Sequence, residues 1–201
     1  MTAHGTFDEI ANNPMFQPYW GWHDDHRNND RTAAYMPAVQ QNQAEFYAFA
    51  NVLVDHNLHG GSCLQLGLGV PGASHVLLQS LFYRVWSVDF TAMRVQGCDK
   101  ALVIVGNTHD PQVVQRVEDL GVKFDLLFID AGHLYEDVRA DFHMYAPLVR
   151  SGGIIAMHDA LKRPTYEDEI QVWQFVEHLR AAGREVSVIG DELGIAWVVK
   201  E

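Results

Sequence analysis

Apolar residues recur at helical spacing through Phe46, Phe49, Ala50 and Leu53, which marks one buried stripe on a helix. Pro37 suits a first helical turn and Gly60-Gly61 is a natural stop, so the helix is expected between them. Beyond the glycines the period changes. Ser62 to Leu66, Val85 to Asp89, Ala101 to Val105, Asp125 to Asp130 and Ile154 to Met157 are short, mostly apolar runs that predict buried strands. Between them, His75–Phe82 and Pro111–Leu120 read as helices. So does a segment in which Leu134, Val138, Phe142 and Tyr145 share a face. Residues 91–100 form a connection rather short for a crossover helix, and Ser151-Gly152-Gly153 reads as a turn. A helix over roughly 168–182 leads to strands at Glu185–Ile189 and Ile195–Val199, whose short link suits an antiparallel pair.

Strands alternating with helices predict an α/β fold: a doubly wound Rossmann-like sheet, mostly parallel, with an antiparallel last strand. Residues 1–36 break the pattern. They are irregular, rich in Asn, Asp, His and aromatics, and are expected to form an N-terminal extension serving as a lid or an oligomer contact. Residues 37–201 form one domain, without repeats or low-complexity linkers.

Charge narrows the partners. There are 14 Lys and Arg against 26 Asp and Glu, a formal net charge of −12 with His neutral. That balance argues against nucleic acid and anionic lipid as ligands. No apolar run approaches the ~20 residues that span a bilayer, and the first residues lack an apolar signal core, so the cytoplasm is expected. The two cysteines, Cys63 and Cys98, show no metal or redox spacing and read as structural.

Gly67, Gly69 and Gly72 have G-x-G-x-x-G spacing directly between the first strand and its helix. A tight turn with close backbone approach to a ligand needs residues without a Cβ. Asp89 ends the second strand, where its carboxylate can accept hydrogen bonds from both ribose hydroxyls of a nucleoside. A dinucleotide would dock its pyrophosphate on the helix N-terminus. Here no basic residue stands near that terminus, and Ser74 with the loop amides could instead hold an amino-acid carboxylate. The turn by itself leaves both ligands open.

Asp130 ends the fourth strand and His158-Asp159 ends the fifth. Neighbouring parallel strands lie about 4.8 Å apart, so the two aspartates could share a divalent cation, with His158 as a third ligand. Helix capping by both aspartates fits the spacing equally well. His133, three residues after Asp130, stands at the mouth of the same crevice and could take a proton from a hydroxyl.

The segment Phe124-Asp125-Leu126-Leu127-Phe128-Ile129-Asp130-Ala131-Gly132-His133-Leu134-Tyr135-Glu136 resembles the "FDLLFIDGDHSYE" stretch of one group of class I methyltransferases. Asp141 through Asp159, with PLVRSGGIIAMHD, is similar to that group's "PLLRPGGIIAFHD", and Ile104 to Pro111 to its "IVGDSHDP". The likeness runs in order from about Gln40 to Val199. It points to the cephalosporin-hydroxylase-like and macrolide-sugar O-methyltransferase-like families. The resemblance implies S-adenosylmethionine as cofactor, bound by Gln65, Gly67, Gly69, Ser74 and Asp89, with Asn107 and Thr108 near the adenine. It implies a Mg²⁺-like ion on Asp130 and Asp159, with His158 as a further ligand, and His133 as the general base. The chain departs from the family at Gln65, often Glu, at Asn107, usually Asp, at Ala131, usually Gly, and at His158, often acidic.

The expected activity is therefore methylation of a hydroxyl on a small-molecule acceptor such as a sugar or natural product, with His133 and Asp130 at the reaction centre. Two rivals remain: a nicotinamide-dependent oxidoreductase on the same turn, and a non-catalytic module that binds the donor and a partner. Self-association through the sheet edge or residues 1–36 would give a homo-oligomer.

Overall fold

The structure is a computed structural model and describes residues 41–68, 73–90 and 102–201. The expected extension over 1–36, the helix start at Pro37, Gly69, Gly72, Cys98 and the 91–100 connection lie outside the described residues. Helix α1 (Gln43–Asp55) has Asn42 as its N-cap, with the Asn42 side chain accepting from the Glu45 amide. There follow β1 (Ser62–Leu66), α2 (Ala73–Leu81), β2 (Arg84–Asp89) and β3 (Val103–Val105). The chain continues through α3 (Pro111–Glu118), β4 (Phe124–Ile129), α4 (Tyr135–Tyr145), β5 (Val149–His158) and α5 (Val172–Ala181). It ends on β6 (Ser187–Ile189) and β7 (Ile195–Val199).

The strands form one sheet in the order β3-β2-β1-β4-β5-β7-β6. β7 alone runs antiparallel to its neighbours β5 and β6, and the remaining pairings are parallel. The doubly wound reading holds, including its antiparallel last strand. Strand order reverses between β1 and β4, and a crevice opens beyond the carboxyl ends at such a switch point. Apolar runs without a polar face are explained by cover on both sides. Leu64, Leu66, Leu127, Ile129 and Ile155 pack with α3, α4 and α5, while Cys63, Leu126, Phe128 and Ile154 pack with α1 and α2.

Three expectations need correction. β5 begins at Val149, not Ile154, because Ser151-Gly152-Gly153 stays in the sheet: the Gly152 amide donates to the Lys200 carbonyl, and the Lys200 amide to Gly153. A side chain at Gly153 would press on Val149 and the Asp125 carbonyl, so glycine there permits strand pairing. β3 is an edge strand whose Val105 is exposed, not a strand covered on both faces. On α4, Leu134 is the exposed N-cap and Asp141 joins the buried face in its place.

One contact binds the first helix to the last hairpin. Glu45 is buried, and its Oε1 accepts from the amides of Asp191, Glu192 and Leu193 at 3.0, 2.9 and 3.1 Å. Its Oε2 accepts from Gly194 at 3.0 Å. Four amides converging on one carboxylate fix the β6–β7 turn, and bonds to a charged acceptor are worth about 1.5–3 kcal/mol each before non-additivity. Glu45→Gln should lower unfolding free energy in urea by about 2–4 kcal/mol and speed hydrogen exchange at residues 191–194. Unchanged stability and exchange would show that the clamp carries no energy.

Candidate active site at the carboxyl edge of the sheet

A cavity of about 880 Å³ opens where β1, β2, β4 and β5 end. Gly67 leaves β1 at φ +83°, and a Cβ there would collide with the Asp130 carbonyl. The expected reason for glycine was approach to a ligand. The structural reason is the passage of the β4 end, which carries Asp130. Asp89 lines the cavity, and its Oδ2 accepts from the Leu68 amide at 2.8 Å, so the acid also fixes the turn.

Gln65 and Ser74 are brought together, but beneath the turn and away from the described cavity lining. Gln65 Nε2 donates to the Gly67 carbonyl at 2.9 Å and to Ser74 Oγ at 2.6 Å, and Gln65 Oε1 accepts from Ser87. Both therefore act on the turn. Asn107 and Thr108 do line the cavity, after β3. Asn107 Oδ1 accepts from the His109 amide, and the Thr108 carbonyl from the Tyr145 hydroxyl.

The other half of the site is a carboxylate pair. The Asp130 amide donates to the Leu66 carbonyl at 2.8 Å, which carries the β1–β4 ladder one residue past the strand. Asp159 follows β5 at φ +56°, a left-handed conformation that Asp tolerates better than most residues. Neither aspartate caps a helix, since α4 starts after Leu134, where the Gln171 side chain accepts from the Tyr135 amide. Asp130, His133 and Asp159 each present one donor atom, all within 4.8 Å of one another.

His158, the expected third ligand, comes from below. Its buried ring sets Nδ1 3.1 Å from Asp130 Oδ1 and 3.2 Å from Asp159 Oδ2. An ionised carboxylate only accepts, so Nδ1 carries the proton and buttresses the pair. His133 stands on the open side, its Nε2 3.6 Å from Asp130 Oδ1 and 3.2 Å from Asp159 Oδ2, without hydrogen-bond alignment. An imidazole nitrogen turned between two carboxylates fits a shared cation, and the oxygen-rich set suits Mg²⁺ or Mn²⁺.

The electrostatics follow from this packing. Contact with Asp130, then with Asp159, holds His133 up to about 10. Burial works against charge on His158, but the Asp130 and Asp159 carboxylates outweigh it and raise that pKa to about 10 as well. Burial pushes both aspartates up, yet the two imidazoles hold each below the usual carboxylate range. With protein groups alone His133 is a cation at neutral pH. A positive charge placed on the two carboxylates would offset their pull and favour the neutral imidazole.

Several site residues carried no expectation. Gln41 donates to Asp130 Oδ2, Arg163 pairs with Asp159, and Glu192 reaches the cavity from the clamped hairpin. Arg163 stands four residues after Asp159, a spacing that could have drawn attention; the other two are tertiary placements without a local signal. Five carboxylates line the described cavity, Asp89, Asp130, Asp137, Asp159 and Glu192, against one Lys or Arg side chain, Arg163.

The family model described as a methyltransferase domain matches residues 31–160. The chain belongs to that methyltransferase-domain family, as its motifs suggested. It is 27% identical over 104 residues to demethylmacrocin O-methyltransferase of Streptomyces fradiae, a match covering 47% of this chain and 26% of that protein. MycE, a methyltransferase of the mycinamycin biosynthetic pathway solved with Mg and S-adenosylhomocysteine (SAH), shares the fold at a TM-score of 0.62 and 18% identity. That match covers 98% of this chain and 55% of MycE. An O-methyltransferase from Bacillus cereus solved with SAH gives a TM-score of 0.62 at 19% identity, covering 82% of this chain and 84% of that one. This chain spans about a quarter of the curated relative and about half of MycE. Among the described residues no helix is long and apolar enough to cross a membrane.

Asp141 lies beside this site, fully buried, with His109 Nε2 at 3.2 Å and no donor aligned on either oxygen among the described residues. Burial pushes its pKa up to about 6, against the opposing influence of the Thr108 side chain and His109. A raised carboxyl pKa means that the folded state binds the proton more tightly, so stability falls as pH rises from about 4 towards 6. Asp141→Asn should be more stable than wild type at pH 7–8, by about 2–3 kcal/mol at about 1.4 kcal/mol per pKa unit. The gap should close towards pH 4 in urea titrations. A wild type at least as stable as the variant at pH 8 would contradict this.

Proposed function

We propose that the protein transfers the methyl group of S-adenosylmethionine to a hydroxyl of a small metabolite, a sugar or natural product, with a divalent cation assisting. The observation that carries this reading is the placement of Asp130, His133 and Asp159 in the same cavity as Gly67 and Asp89. The methyl donor carries a sulfonium charge, and a lining of five described carboxylates favours a cationic donor and a cation together. The nicotinamide alternative lacks such support, because a pyrophosphate would add negative charge to this acidic lining.

In this reading Asp89 accepts hydrogen bonds from the ribose hydroxyls, while Asn107 and Thr108 border the adenine. Gln65 and Ser74 hold the turn from behind. Asp130 and Asp159 would hold the ion, and His158 keeps their oxygens facing each other through its Nδ1–H. A divalent ion there would lower the acceptor hydroxyl's pKa and orient it. His133 Nε2 takes the hydroxyl proton as the oxygen bonds to the methyl carbon and the carbon–sulfur bond breaks, leaving SAH. Positioning the two reactants supplies several kcal/mol of the barrier reduction.

The test is titration with SAH and with Mn²⁺, by calorimetry and electron paramagnetic resonance. Wild type should bind both, and Asp159→Asn should lose Mn²⁺ while keeping SAH. His133→Ala should keep both affinities within about threefold, and with an acceptor in hand lose roughly 10²–10⁴-fold in turnover. A tenfold or greater loss of Mn²⁺ affinity in His133→Ala would instead make this residue a ligand. Failure of wild type to bind SAH at millimolar concentration would overturn the reading.

A further inference from the structure

Gln41 stands just before α1, is buried, and lines the cavity. Its Nε2 lies 2.7 Å from Asp130 Oδ2. The two ends of an amide are distinguished by their partners. An ionised carboxylate cannot donate, so the amide nitrogen faces Asp130 and the carbonyl oxygen faces away. That oxygen, Oε1, is itself buried and has no hydrogen-bond partner among the described residues. A buried acceptor without a donor is uncommon and costly, and an occupant that supplies a donor removes the cost.

The hydrogen bond also decides which face Asp130 presents. With Oδ2 held by Gln41, Oδ1 faces the shared point, 3.1 Å from His158 Nδ1 and 3.6 Å from His133 Nε2. We propose that Gln41 is a positioning residue of the cation site: its amide nitrogen holds Oδ2 and so turns Oδ1 of Asp130 to the ion, and its carbonyl oxygen, turned away from Asp130, is left to accept from an O–H or N–H of a ligand in the cavity. This inference rests on the proposed cation at Asp130 and Asp159. It adds a contact from outside the strand-end motifs, reaching 89 residues along the chain. The ligand group that Oε1 recognises must carry an O–H or N–H, which an alcohol acceptor or its replacing water provides.

Gln41→Met keeps the side chain's length and removes both polar ends, and Gln41→Ala removes the side chain. Mn²⁺ binding to the full chain, followed by electron paramagnetic resonance, should weaken about 10–100-fold in both variants, as when an outer hydrogen bond to a metal ligand is lost. SAH affinity and melting temperature should stay near wild type, a split that loss of a purely structural tether would not produce. Unchanged Mn²⁺ affinity in both variants, with wild type binding the ion, would overturn the assignment of Gln41 alone. Parallel loss of SAH binding, Mn²⁺ binding and thermal stability would also overturn it, by showing that Gln41 only holds α1 in place. A wild type that binds SAH but no Mn²⁺ would remove the cation from the proposed function, and this inference with it.

Discussion

Two carboxylates forced together at the ends of β4 and β5 set the terms for everything around them. Their facing oxygens lie within 4.8 Å, and like charges at that distance repel by about 3–4 kcal/mol at an effective dielectric near 20. Both groups are largely buried, so the repulsion must be met by positive charge. His158 meets it from beneath, His133 from the open side, and Arg163 on the outer oxygen of Asp159. The surrounding construction can be understood as holding this pair in place. The β1–β4 ladder extends to the Asp130 amide, and Gly67 lacks a side chain so that Asp130's carbonyl can pass.

The donor side and the cation side of the cavity depend on one another through the sheet. Asp89 and Asp130 flank β1 from neighbouring strands, and the turn after β1 is stitched to both. Gln65 and Ser74 explain why a neutral amide can stand at the base of this turn. Gln65 donates one hydrogen bond to the Gly67 carbonyl of the turn and one to Ser74 Oγ at the start of α2, and a carboxylate could not donate to that carbonyl. The far wall is brought in by α1, which carries Gln41 to Asp130, Asn42 to Glu192 and Glu45 to the amides of the β6–β7 turn. A single helix start thus ties together elements from both ends of the described chain.

Much of this was legible in the chain. The strand at Ile195–Val199 was read to the residue, and the strand-end acids Asp89, Asp130 and Asp159 fall beside the cavity as their positions implied. Local rules failed where tertiary pairing decided the outcome. Ser151-Gly152-Gly153 carries turn chemistry, yet pairing with Lys200 keeps it extended. Asp141 completes the Val138, Asp141, Phe142, Tyr145 spacing of a buried helix face, so the spacing marks it for burial despite its charge. Gln41 and Glu45 were not readable at all, since their partners lie 89 and up to 149 residues away.

The measurement that bears most directly on the account is anomalous diffraction from crystals grown with SAH and millimolar Mn²⁺. One strong peak is expected about 2.0–2.3 Å from an oxygen of Asp130 and from an oxygen of Asp159, within the cavity that also holds SAH. SAH bound in the cavity with no peak between the two carboxylates, which remain paired to His133, His158 and Arg163 alone, would contradict it.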